Sequence, residues 1–146
     1  MLKTGDKAPN FSLKDGDGNL VKLSDLKNKK VLLYFYPRDD TPGCTKEACN
    51  LRDNFSKLKS LVVLGISMDT PESHRKFSDK YSLPFRLLAD GGEVCKKYFV
   101  YVKKNMYGRK YWGIKRTSFL IENGRIKHIF EKVDVSNHAE QVLKEA

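Results

Sequence analysis

The sequence predicts an α/β domain: a mixed β-sheet, parallel at its centre and antiparallel at its edges, with helices on both faces. Three observations carry this. Continuous β-prone runs, "VLLYFYP" and "LVVLGIS", read as strands buried on both sides. Segments with helical periodicity alternate with them, which calls for parallel crossovers. An Asn-Gly pair inside "TSFLIENGRIKHIF" marks a late antiparallel hairpin.

The elements follow in order. "FSLKDGDGNLVKL", residues 11–23, alternates apolar and polar residues around a Gly/Asp turn and predicts a first hairpin. Ser24 is the expected cap of a short turn in "SDLKNKK". Residues 31–37 form the central strand. From Pro42 to residue 60, Cys44, Ala48, Leu51, Phe55 and Leu58 recur at helical spacing, with Thr41 and Pro42 supplying N-cap and first-turn chemistry. A second buried strand covers 61–67. Thr70 and Pro71 then open a helix that runs to Tyr81. "FRLLAD" is a short strand and "GGEVCKKYFV" a third helix. Residues 100–116, aromatic and basic, fit no single pattern. The Asn123-Gly124 hairpin and a capped helix over "SNHAEQVLKEA" close the chain. With 146 residues and no repeat or linker, residues 1–146 are expected to form one domain.

Composition bounds the function. Forty per cent apolar and 32% charged residues are ordinary for a folded domain in water. No apolar run nears the ~20 residues that cross a bilayer, so no membrane partner is expected. "MLKTGDKAPNF" lacks an apolar secretory core, and a cytoplasmic address follows as an expectation. There the three cysteines read as redox or catalytic before structural. The net charge of +10 is spread over short lysine clusters, which favours a solvated surface over a nucleic-acid site. His74, His128 and His138 stand far apart in polar surroundings and are expected to be exposed.

The chemistry concentrates in "YPRDDTPGCTKEAC", residues 36–49, at a strand-to-helix junction. Cys44 would lie in the first helical turn, where unpaired N–H groups and the helix dipole favour a thiolate. Glu47, Asp39 and Asp40 oppose this, so a cation must arrive from far along the chain. Thiolate formation alone does little. Lowering a thiol pKa from ~8.5 to ~6 raises the thiolate fraction about 30-fold, while nucleophilicity falls roughly 10-fold. Donors must therefore stabilise charge developing on the substrate. The expected ones are the Thr41 hydroxyl, the N–H groups of Gly43 and Cys44, and the distant cation. Cys49 lies five residues on; in an intact helix the two Cα atoms would be roughly 8–9 Å apart, too far for a disulfide without unwinding. Cys95 is expected to pack in the core.

This stretch resembles the peroxiredoxins, in the group called bacterioferritin comigratory protein or peroxiredoxin Q. The motif of Pro, Thr and Cys stands at Pro37, Thr41 and Cys44, and "GDKAPNFSL", "LGIS" and "GIKRTSFLIENG" match in order and spacing. The resemblance implies a thioredoxin-like fold with an N-terminal β-hairpin extension. It implies that Cys44 is the peroxidatic cysteine of an antioxidant peroxidase acting on hydrogen peroxide and alkyl hydroperoxides. Thr41 would bond the peroxide, Pro37 would pack over the thiolate, and Arg116 would be the missing cation, ahead of its neighbour Arg109. Cys49 would resolve the sulfenic acid as an intramolecular disulfide, and thioredoxin or a glutaredoxin-like dithiol protein would reduce it. No metal or organic cofactor is implied, and a pair within one helix needs no second chain, so a monomer is expected. Arg38 stands where lysine is frequent in the group. A thioredoxin-type oxidoreductase would carry C-x-x-C, which is absent. The spacing of Cys44, Cys49 and the histidines does not suit zinc.

Overall fold

The computed structural model describes residues 1–146. A seven-stranded sheet runs in the order β2-β1-β5-β4-β3-β8-β9. Its strands are β1 (Ser12–Asp15), β2 (Leu20–Lys22), β3 (Lys30–Phe35), β4 (Leu61–Ser67), β5 (Arg86–Ala89), β8 (Thr117–Glu122) and β9 (Arg125–Phe130). The central trio β5-β4-β3 is parallel. The first hairpin adds to one side through β1 against β5, and the late hairpin to the other through β8 against β3, both antiparallel. The helices are α1 (Pro42–Asp53), α2 (Pro71–Tyr81), α3 (Glu93–Lys97) and α4 (His138–Glu145).

The two-residue period of β3 divides the interior. Val31, Leu33 and Phe35 join one core with Cys95 and Tyr98 beside α3. Leu32, Tyr34 and Tyr36 join the other with Cys44, Ala48 and Leu51 of α1, Phe77 of α2 and Val142 of α4. The sheet thus separates Cys44 from Cys95.

Gly65 in β4 is registered between Tyr34 and Leu87. A Cβ there would lie 2.8 Å from both the Tyr34 ring and Leu87 Cδ2. Tyr34 is 1% exposed and cannot swing away. Gly65→Ala should therefore lower unfolding free energy by about 1–3 kcal/mol in urea titration, the usual cost of overpacking.

Several boundaries differ from the sequence reading. The helix expected over 42–60 ends at Asn54, whose backbone and side-chain amide groups both donate to the Asn50 carbonyl; a 3-10 turn at Phe55–Leu58 follows. The third helix spans only Glu93–Lys97 because Gly92 enters at φ 115° and Phe99 leaves at φ 59°. Ser24 caps nothing; it lies inside a 3-10 turn, where its N–H donates to Asn10 Oδ1. Thr70 does cap α2, its hydroxyl accepting from Ser73 N–H at 3.2 Å. The cap of α4 comes from α1: Asn50 Oδ1 accepts from Ala139 N–H at 2.8 Å, and its amide donates to the Ser136 carbonyl.

The unassigned segment is a separate two-stranded ribbon, β6 (Tyr101–Met106) and β7 (Arg109–Ile114). Its turn places Tyr107 at φ 52° and Gly108 at φ 81°. The late hairpin uses the same left-handed pair at Asn123 and Gly124. Asn-Gly advertises such a turn, whereas Tyr-Gly does not.

Candidate active site

The β3–α1 connection starts where Tyr36 N–H bonds the Ile66 carbonyl of β4. Asp39 fastens it next. Its N–H donates to Asp69 Oδ2, and its carboxylate accepts from the Tyr36 hydroxyl at 2.6 Å and the Ser73 hydroxyl at 2.8 Å. His74 Nδ1 faces the same carboxylate at 2.7 Å while Nε2 donates to the Leu88 carbonyl. Asp40 then adopts φ 55°, held by Lys80 and the Tyr81 hydroxyl. A non-glycine residue in this region is strained, and here its surroundings fix it beside the helix start. The two aspartates, read from sequence as opposing a thiolate, are instead tied to α2.

Thr41 occupies the N-cap position of α1 but does not cap it with its side chain. Its hydroxyl donates to the Arg38 carbonyl at 2.9 Å. The expected Thr41 donor is therefore already engaged, and its oxygen lone pairs remain. The first turn closes with Thr45 N–H on the Thr41 carbonyl at 2.8 Å. Pro42 has no N–H, so Gly43 and Cys44 supply the unpaired donors of the helix end.

Cys44 is 2% exposed and lies on the buried face of α1. Arg116, which follows β7, donates from Nη2 to Cys44 Sγ at 3.4 Å and from Nη1 to Glu47 Oε1 at 2.6 Å. Gly43 permits this approach, since a Cβ there would meet Nη2 at 3.1 Å. The distant cation demanded by the sequence is thus Arg116; Arg109 lies near the ribbon tip. Thr41, Gly43 and Arg116 are each part-exposed, while Cys44 and Glu47 behind them are buried. A substrate reaching the sulfur must come past this rim. Pro37 lies in the same connection, half-buried.

Glu47 was not anticipated as a partner of this site. It stands three residues from Cys44 on the same helical face, which is the signal that could have revealed it. Burial pushes its carboxyl up to about 7, against the pull of Arg116. Its second oxygen has no hydrogen bond and lies 3.8 Å from His138 Nε2. His138 Nδ1 faces Gln141 Oε1, which also accepts from Asp134 N–H, so Nδ1 carries the proton. Nε2 then accepts from the Ser118 hydroxyl at 2.7 Å. Burial lowers the pKa of this histidine, with the Gln141 bond acting oppositely. His74 and His138 are both fully buried, contrary to the expectation of exposure: each finds buried hydrogen-bond partners on elements remote in sequence. His128 is part-exposed.

Because Glu47 binds its proton more tightly when folded, its contribution to stability is complete below pH ~4.5 and fades as pH rises through about 7. Wild type should therefore lose stability relative to Glu47→Gln between pH 5 and 8, by about 3 kcal/mol in paired urea titrations.

Cys95 is fully buried on the far side of the sheet, as expected of a core residue. Burial, then a hydrogen bond with Asp90, pushes its thiol pKa up strongly. Cys49 is part-exposed on α1, and all three cysteines are free thiols.

Residues 4–129 match the AhpC/TSA family. The chain is 49% identical over 146 residues to peroxiredoxin Bcp of Escherichia coli, covering 97% of this chain and 94% of that one. The crystal structure of a PrxQ mutant from Xylella fastidiosa superposes with a TM-score of 0.92 at 34% identity, covering 99% and 94% of the two chains. A Xanthomonas campestris bacterioferritin comigratory protein, studied for alkyl peroxide reduction, gives 0.88 at 32% identity over 99% and 94%. The seven-stranded sheet and its helices are thus the thioredoxin-like fold of those structures. The chain belongs to the AhpC/TSA family, among the peroxiredoxins of the bacterioferritin comigratory protein group.

Proposed function

We propose that this peroxiredoxin reduces hydrogen peroxide and alkyl hydroperoxides through Cys44, with Cys49 as resolving residue and residues 1–146 acting as one domain. The observation that carries the reading is the Arg116 guanidinium 3.4 Å from Cys44 Sγ at the open end of α1. The alkyl peroxide chemistry named for the Xanthomonas relative supports the substrate class.

In the first step the Cys44 thiolate attacks the terminal oxygen of R–O–OH. The S–O bond forms, the O–O bond breaks, and RO⁻ leaves to be protonated as ROH. Cys44 becomes a sulfenic acid. Thr41 Oγ, its proton engaged by Arg38, accepts the hydroperoxide O–H. Arg116 and the N–H groups of Gly43 and Cys44 receive the charge that develops on the leaving oxygen. Pro37 limits water beside the thiolate. Arg116 keeps its orientation because Glu47 grips its other nitrogen.

In the second step Cys49 attacks the sulfenic sulfur, releasing water and forming a disulfide. The intact helix over Pro42–Asp53 keeps the two residues apart, so resolution is coupled to unwinding of its first turns. The missing side-chain cap and the Pro42-Gly43 start make that end easy to open. Thioredoxin or a glutaredoxin-like dithiol protein then exchanges its thiols for the disulfide. The catalytic cycle requires only one chain and proceeds in the cytoplasm.

The test is peroxide turnover coupled to a thioredoxin system. Cys49→Ser should consume one equivalent of peroxide at an undiminished rate and then stop, because nothing recycles the sulfenic acid. Continued recycling at the wild-type rate would hand the resolving role to an external thiol, since Cys95 lies across the sheet.

A further inference from the structure

The β6–β7 ribbon stands apart from the seven-stranded sheet. A lone two-stranded ribbon is marginal in water without a partner face. Its base has one: Ile114 is in the core, and Tyr101 packs against that core and stacks on Trp112 at 5.6 Å. Its outer half has none. Met106 is 55% exposed and Tyr107 fully exposed there, and Trp112, nearer the base, is still 58% exposed.

The ribbon is also the centre of the chain's charge imbalance. Between Glu93 and Glu122 there are eight lysines and arginines and no acidic residue. Four of them, Lys103, Lys104, Arg109 and Lys110, lie on β6 and β7. Lys104 is part-buried, and burial, then the Arg116 charge, lowers its pKa.

The order of side chains along the ribbon identifies the partner. Apolar groups lead, with Arg109 alone beside them, and the other three cations follow. Tyr107 sits in the turn and Met106 on the last rung, opposite Arg109. Behind it come the rungs Asn105–Lys110, Lys104–Tyr111 and Lys103–Trp112. At ~3.4 Å per residue, the last of these lies about 10 Å from the tip rung. Apolar groups of interfacial segments enter the headgroup and acyl boundary by about 5–10 Å. Tyr and Trp settle at that level, and lysines are drawn to anionic headgroups. On nucleic acid the cations would have to lead, because the phosphates are met first.

We propose that the β6–β7 ribbon docks on the surface of an anionic phospholipid bilayer, with Met106 and Tyr107 inserted and the ribbon cations at the headgroups. This amends the expectation that no membrane partner exists. It involves no spanning segment, and no helix is long and apolar enough to be one. It is independent of the peroxide chemistry.

Trp112 is the only tryptophan, so its fluorescence reports on the ribbon alone. The full chain is titrated with phosphatidylcholine vesicles containing, or lacking, about one-third phosphatidylglycerol. A blue shift with the anionic vesicles only, abolished by raising salt from ~0.05 to ~0.5 M, is expected. The double variant Lys103→Gln/Lys110→Gln should partition about 25-fold more weakly, fivefold per cation. Met106→Ser/Tyr107→Ser should also bind more weakly, while both variants keep wild-type peroxidase activity. Absence of a shift with anionic vesicles, or equal binding by either double variant, overturns the proposal. So does tighter binding of duplex DNA than of vesicles at equal phosphate concentration, which would assign the ribbon to nucleic acid.

Discussion

Cys44→Ser consumes no peroxide, even in a single turnover, and gains no oxygen atom by intact-protein mass spectrometry. The expected loss is on the scale of the ~10⁶-fold effects seen when a catalytic nucleophile is removed elsewhere. A serine hydroxyl fits the same buried space but is not ionised by the helix end and one guanidinium. The variant should unfold at nearly the wild-type urea midpoint, which separates lost chemistry from lost structure. Stoichiometric peroxide consumption by this variant would move the nucleophile to Cys49, since Cys95 lies in the opposite core.

Arg116→Met lowers kcat/KM for peroxide by roughly 10²–10³-fold, the cost of removing one donor aimed at developing charge. Methionine preserves much of the apolar stem, so the effect reports the guanidinium. Two losses combine. The sulfur loses its donor at 3.4 Å, and Glu47 loses its only ion partner at hydrogen-bond distance. Leaving a buried carboxylate unpaired is costly, so Glu47 should take up a proton at higher pH in this variant. Combining Arg116→Met with Glu47→Gln should restore stability without restoring rate. Recovery of turnover in the double variant would mean that Arg116 serves only to neutralise Glu47.

The elements that the sequence exposes best are those whose signals are local. Asn123-Gly124, Thr70-Pro71 and the continuous β-prone run of β3 each declare themselves within a few residues. The parallel centre followed from strands separated by helices. At the site, helix-end chemistry picked out Cys44, and the surplus of nearby carboxylates required a distant cation. What escaped depends on contacts between remote segments. His74 and His138 look like surface residues until Leu88, Ser118 and Gln141 are folded onto them. Glu47 looked hostile to an anion until Arg116 arrived from the connection after β7. The Thr41 hydroxyl looked free until the loop turned Arg38 back onto it. The ribbon was missed because its turn begins with tyrosine in a backbone region that tyrosine rarely enters.

The latch between Asn50 and the start of α4 ties two distant events together. Asn50 is the neighbour of Cys49, so an unwinding of α1 that brings Cys49 toward Cys44 would also tug on the anchor of the C-terminal helix. That helix carries His138, which backs Glu47 and through it Arg116. In the proposed cycle, closing the Cys44–Cys49 disulfide would therefore slacken the scaffold that aims the arginine, and reduction would have to restore that latch before the next turnover.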